Sequence, residues 1–169
     1  MRRARLSLLS LLPLGLVACS GARMLAAGDR APEVQAKNQD GALVSLAQYR
    51  GHPLVVYFYP KDRTSGCTIE AHEFRTAYAQ LRAAGAEVVG VSNDDVASHK
   101  GFCNDEALPF PLLADTDERI AHAFGVPTRL GFYRRTTFVI DAQGVVRRVF
   151  DPVEPNGHAR EVLAALNAL

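Results

Sequence analysis

The chain is 169 residues long, 48% hydrophobic, and carries 19 basic and 18 acidic side chains for a formal charge of +1. That length suits one domain, and that composition suits an ordinary buried core. Three of the 19 basic residues are Arg2, Arg3 and Arg5, so beyond residue 18 there remain 16 basic against 18 acidic side chains. This balance excludes the broad basic face with which proteins displace counterions from nucleic-acid phosphates.

Residues 1–18 do not belong to the fold. Arg2, Arg3 and Arg5 form a positive n-region, and Leu6 to Val17 is an apolar run broken by Ser7, Ser10, Pro13 and Gly15. The run is too short to span a bilayer and has the plan of a secretory signal peptide. It ends in Leu16-Val17-Ala18-Cys19, which resembles the lipobox of bacterial lipoproteins. That resemblance implies cleavage before Cys19 and a lipid on its side chain, with Ser20 going with outer-membrane sorting. The alternative is an ordinary signal peptide cut after a nearby small residue. The expectation is an exported, periplasmic protein anchored to the membrane by a lipid, with residues 19–27 as a tether and 28–169 as the folded domain. Cys67 and Cys103 are then left as a pair in an oxidising compartment, where the default is a structural disulfide.

The domain alternates strand and helix. Leu54 to Tyr59 is a continuous β-branched and aromatic run, the pattern of a strand buried on both faces, and Pro60 ends it. From Cys67, apolar residues recur at Ala71, Phe74, Tyr78 and Leu81, the spacing of an amphipathic helix that Gly85 stops. Glu87 to Val91 reads as the next strand, and Asp94 or Asp95 can cap a helix from Val96 to Glu106. Leu112-Leu113 is a short strand and Glu118 to Phe124 a short helix. Thr136 to Ile140 and Val145 to Phe150 flank the turn Asp141-Ala142-Gln143-Gly144 as a hairpin, and a last helix runs from His158 to Leu166. The sum is an α/β fold, a mixed central sheet with helices on both faces.

Chemistry concentrates in Pro60-Lys61-Asp62-Arg63-Thr64-Ser65-Gly66-Cys67-Thr68-Ile69-Glu70. A buried strand ends, a turn follows, and a cysteine enters the first turn of a helix. Thr64 or Ser65 can cap that helix, leaving backbone N–H groups and the positive end of the helix dipole aimed at the sulfur, where they favour a thiolate. The apolar stripe includes position 67, so Cys67 lies on the core side at the sheet rim. These features favour a reactive cysteine over a structural one.

The residues carry a resemblance. Pro60, Thr64 and Cys67 reproduce the Pro-x-x-x-Thr-x-x-Cys motif of peroxiredoxins. Tyr57 to Asp62, Gly66-Cys67-Thr68-x-Glu70, Gly90-Val91-Ser92-x-Asp94, Phe110 to Asp115 and Arg135 to Asp141 look like the peroxiredoxin Q, or bacterioferritin comigratory protein, subfamily. The likeness covers residues 28–169 and implies a thioredoxin-like fold. It implies a thiol peroxidase in which Cys67 attacks a hydroperoxide and becomes a sulfenic acid. Thr64 would hydrogen-bond the peroxide and Pro60 would shield the sulfur. Arg135 would stabilise the anionic sulfur and the leaving oxygen, with Glu70 orienting it. Members with a nearby resolving cysteine carry it where this chain has His72; others place it in the following helix, where Cys103 falls. The implied cycle closes a Cys67–Cys103 disulfide, with a thioredoxin-like protein as reductant and no cofactor or metal. The expected oligomeric state is a monomer.

The chain departs from the subfamily at Pro127 to Tyr133, which is shorter than the corresponding stretch. The five histidines share no ligand spacing and read as surface or turn residues, and Arg147-Arg148 as a solvated strand edge. A thiol–disulfide oxidoreductase would need Cys-x-x-Cys, whereas Thr68-Ile69-Glu70 follows Cys67. A copper-carrying lipoprotein of this fold would need a cysteine where Ala71 stands.

Overall fold

A computed structural model describes residues 23–169. The signal segment, the lipobox and Cys19 lie outside the described residues. The elements in chain order are β1 (Gln35–Asn38), β2 (Leu43–Ser45), a 3-10 turn (Leu46–Tyr49), β3 (Leu54–Phe58), α1 (Ser65–Ala83), β4 (Glu87–Ser92), α2 (Val96–Glu106), β5 (Leu112–Ala114), α3 (Arg119–Phe124), β6 (Thr128–Arg129), β7 (Phe132–Tyr133), β8 (Thr136–Ile140), β9 (Val146–Phe150) and α4 (His158–Leu166).

Seven strands form one sheet in the order β2-β1-β5-β4-β3-β8-β9, while β6 and β7 make a separate hairpin. β3 pairs parallel with β4, and β4 with β5; β8 runs antiparallel to β3 with Val56 opposite Phe138. The mixed sheet expected from the alternating pattern is therefore present. Every residue of β3 is buried, as its unbroken apolar run requires, and alternate side chains feed two cores. Leu54, Val56 and Phe58 pack with Phe124 of α3 and Phe138 of β8. Val55, Tyr57 and Tyr59 pack on the other face with Phe74 of α1, Val162 of α4 and both Cys67 and Cys103. The two cysteines thus share one layer, under the helices that carry them.

Three expectations need correction. The segment before Gly28 is not a free tether from residue 23 onward. Leu25 N–H donates to the Phe124 carbonyl (3.0 Å), Gly28 N–H donates to that of Val146 (2.8 Å), and Met24 and Leu25 pack on the core. The segment runs so close over Gly125, a left-handed helix terminus at φ +69°, that a Cβ there would meet the Arg23 carbonyl oxygen at 2.2 Å. Second, β1, β2, β6 and β7 are strands that the alternating pattern does not predict. Their polar or very short sequences carry no strand pattern, and neighbouring strands and a two-residue turn at Leu130-Gly131 impose them. Third, His99 and His158 are buried rather than at the surface, because each ring finds hydrogen-bond partners inside.

Candidate active site

Parallel pairing of β3 with β4 brings the carboxyl end of β3 to the sheet rim, and Pro60 turns the chain out of it. The turn closes with Arg63 at φ +59° and enters α1 at Thr64, whose backbone is extended as a helix-capping residue's is. The expected side-chain cap is not made. Thr64 Oγ1 instead donates to the Lys61 carbonyl (3.0 Å), so no cap covers the first-turn N–H groups of Ser65, Gly66 and Cys67. Uncapped N–H groups at the start of a helix favour negative charge near them. Thr64 itself is exposed and Pro60 half-buried.

Cys67 is 1% exposed, and Arg135 Nη2 donates to its sulfur at 3.4 Å. Arg135 comes from the far end of the chain, just before β8. Arg134, its neighbour in the link between β7 and β8, pairs instead with Asp151 at 2.8 Å. The second terminal nitrogen of Arg135 forms an ion pair with Glu70 Oε2. Glu70 is fully buried one turn after Cys67. Burial pushes its carboxyl up to about 7, against the opposing pull of Arg135, and its other oxygen has no partner. Burial works against the charge of Arg135, but Glu70 and Cys67 beside it outweigh that and raise its pKa. Gly66 has a part that its sequence context did not reveal. A Cβ there would lie 3.1 Å from Arg135 Nη2, so the missing side chain leaves room for the guanidinium.

The structure therefore brings Arg135 onto Cys67 and Glu70 in the first turns of α1, next to the turn that carries Pro60 and Thr64. Cys103 lies on the neighbouring helix α2, buried in the same core layer, and both cysteines are free. Burial pushes the Cys103 thiol up to about 12; the carboxylates of Asp62 and Asp40 add to the rise and Lys100 opposes it. Two residues of the quoted motifs turn out to matter in a way their spacing did not signal. Asp62 accepts hydrogen bonds from Tyr59 Oη (2.7 Å) and Ser98 Oγ (2.7 Å), and its backbone N–H donates to Asp94 (2.9 Å).

Residues 27–149 match the AhpC/TSA family. The chloroplastic peroxiredoxin Q of Oryza sativa subsp. japonica is 43% identical over 145 residues, covering 84% of this chain and 67% of that protein. That of Arabidopsis thaliana is 43% identical over 144 residues, covering 83% and 67%. Among solved structures, Xanthomonas campestris peroxiredoxin Q superposes with a TM-score of 0.76 at 37% identity, over 80% of this chain and 90% of that one. The peroxidoxin BcpB of Mycobacterium tuberculosis gives a TM-score of 0.80 at 34% identity, over 85% and 97%. With the sheet order and the rim cysteine already described, these likenesses show that the chain has the thioredoxin-like fold and belongs to the AhpC/TSA family, in its peroxiredoxin Q or bacterioferritin comigratory protein subfamily, as a peroxidase.

Proposed function

We propose that the protein reduces hydrogen peroxide and organic hydroperoxides through a Cys67 sulfenic acid resolved by Cys103. The observation that carries this reading is the Arg135 guanidinium, one nitrogen on the Cys67 sulfur and another on buried Glu70. A thiolate there is countered by a fixed cation and lies in the first turn of a helix that has no side-chain cap. It attacks one peroxide oxygen: the S–O bond forms, the O–O bond breaks, and the leaving oxygen takes a proton to become water or an alcohol. Arg135 stabilises the charge moving onto that oxygen, and Glu70 holds Arg135 in place. The Thr64 proton is engaged by Lys61, so its oxygen is free to accept from the peroxide O–H. Pro60, half-buried where the turn begins, shields the sulfur from water in this reading.

Cys103, held as a buried thiol, then condenses with the sulfenic acid, giving a disulfide and water. Opening of α2 exposes Cys103 and removes the burial that suppresses its thiolate. A thioredoxin-like dithiol protein reduces the disulfide. The protein acts as a monomer, exported to the periplasm and tethered through lipid on Cys19. One equivalent of hydrogen peroxide tests the chemistry. Cys67→Ser should lose peroxide turnover altogether, and Cys103→Ser should complete one oxidation and then stall or over-oxidise. Full turnover by Cys67→Ser would contradict the reading.

A further inference from the structure

α2 carries Cys103 yet is weakly held by apolar contacts. Of its apolar residues only Phe102 and Cys103 are buried, and Gly101 lowers its helical propensity. Its third buried residue is polar. His99, one turn before Cys103, has Nε2 3.1 Å from the Leu113 carbonyl oxygen and Nδ1 2.9 Å from Asp62 Oδ2. Each ring nitrogen of His99 thus meets a buried oxygen at hydrogen-bond distance. Burial raises the Asp62 pKa, but hydrogen bonds from His99, Ser98 and Tyr59 outweigh it and hold the carboxyl below its ordinary value. Asp62 stands in the turn before Cys67. The pair therefore ties the segment before one cysteine to the turn before the other.

Other contacts cross the same gap, including Arg63 to Asp105 (2.8 Å) and His72 to Glu106, but those side chains are partly or largely in water, where such pairs exchange at little cost. The Asp62–His99 pair is different. Both side chains are almost wholly excluded from solvent, and moving α2 strands a buried polar group unless the whole connection opens at once.

We propose that Asp62 and His99 are a positioning pair that latches α2, and that release of this latch sets the rate at which Cys103 reaches oxidised Cys67. The proposal rests on the Cys67–Cys103 cycle above. The gated step is condensation of the Cys67 sulfenic acid with the Cys103 thiol: the S–S bond forms, the S–O bond breaks, and the hydroxyl leaves as water with the thiol proton. A firm latch prolongs the life of the sulfenic acid; a loose one shortens it and protects Cys67 from a second peroxide.

The test follows Cys67 oxidation and disulfide formation separately in a single turnover with hydrogen peroxide, by rapid quench, thiol alkylation and mass spectrometry. His99→Ala removes the latch, Ser98→Ala removes one donor to Asp62, and Val146→Ala opens a cavity in the opposite core as a stability-matched control. The ratio of the disulfide rate to the oxidation rate should rise about tenfold or more in His99→Ala, the effect of losing a buried bond to a charged group. It should rise less in Ser98→Ala and stay at the wild-type value in Val146→Ala. An unchanged ratio in both latch variants, or an equal rise in Val146→Ala, overturns the latch and leaves the cycle standing. Absence of any Cys67–Cys103 disulfide in the wild type overturns the cycle and the latch with it. If His99→Ala fails to fold, Ser98→Ala decides alone.

Discussion

Arg135 meets Cys67 and Glu70 with two different nitrogens of one planar group, which a lysine ammonium cannot reproduce. Arg135→Lys should therefore lower the rate of Cys67 oxidation by hydrogen peroxide by about 100-fold, the usual scale for removing one preorganised charge-stabilising donor. Stopped-flow measurement of the first step would show it, and a loss of less than a few-fold would contradict the assignment. Glu70 offers a different test. Its folded pKa of about 7 lies above the ordinary 4.5, so the folded state holds a proton that the unfolded state releases between those values. Its contribution to stability is present at low pH and is lost as pH rises through about 7. Thermal melts across that range should show the wild type losing stability relative to Glu70→Gln as pH rises, with the opposite trend contradicting the burial argument.

At the scale of elements, much was legible in the sequence. The β3 run, the three-and-four spacing along α1, the Asp94-Asp95 capping site of α2 and the Asp141–Gly144 turn each carry a local signal, and each element forms within a residue or two of its expected ends. Of the two candidate caps, Asp94 and Asp95, it is Asp95 that accepts from Ser98 N–H (2.8 Å). Thr64 shows the limit of such reading. It occupies the capping position, but the turn beneath it offers the Lys61 carbonyl, and the hydroxyl takes that partner instead. β1 was invisible for a different reason. Gln35-Ala36-Lys37-Asn38 has no strand-forming character, and pairing with β2 and β5 supplies what propensity lacks. The motif residues of the site were legible because they are contiguous or resemble a known family. The role of Gly66 and the burial of His99 were not, since both depend on a guanidinium and a carbonyl that arrive from distant parts of the chain.

Across the whole molecule, the sheet separates two cores and gives the chemistry to one of them. The face that packs α1, α2 and α4 holds both cysteines; the face that packs α3 holds the N-terminal segment from Met24 onward. Membrane attachment through Cys19 would thus enter from the end of a segment that is already fixed to the domain opposite the cysteines. If Cys19 carries the lipid, Cys19→Ser should move the exported protein from the membrane fraction to the soluble one, and continued membrane recovery would contradict the tether. The catalytic claim depends on the other face, where two buried and separate thiols must meet. Peptide mapping after one equivalent of hydrogen peroxide tests it most directly: a Cys67–Cys103 disulfide absent before peroxide and formed after it is the predicted result, whereas a link already present without peroxide, or none after it, would contradict the account.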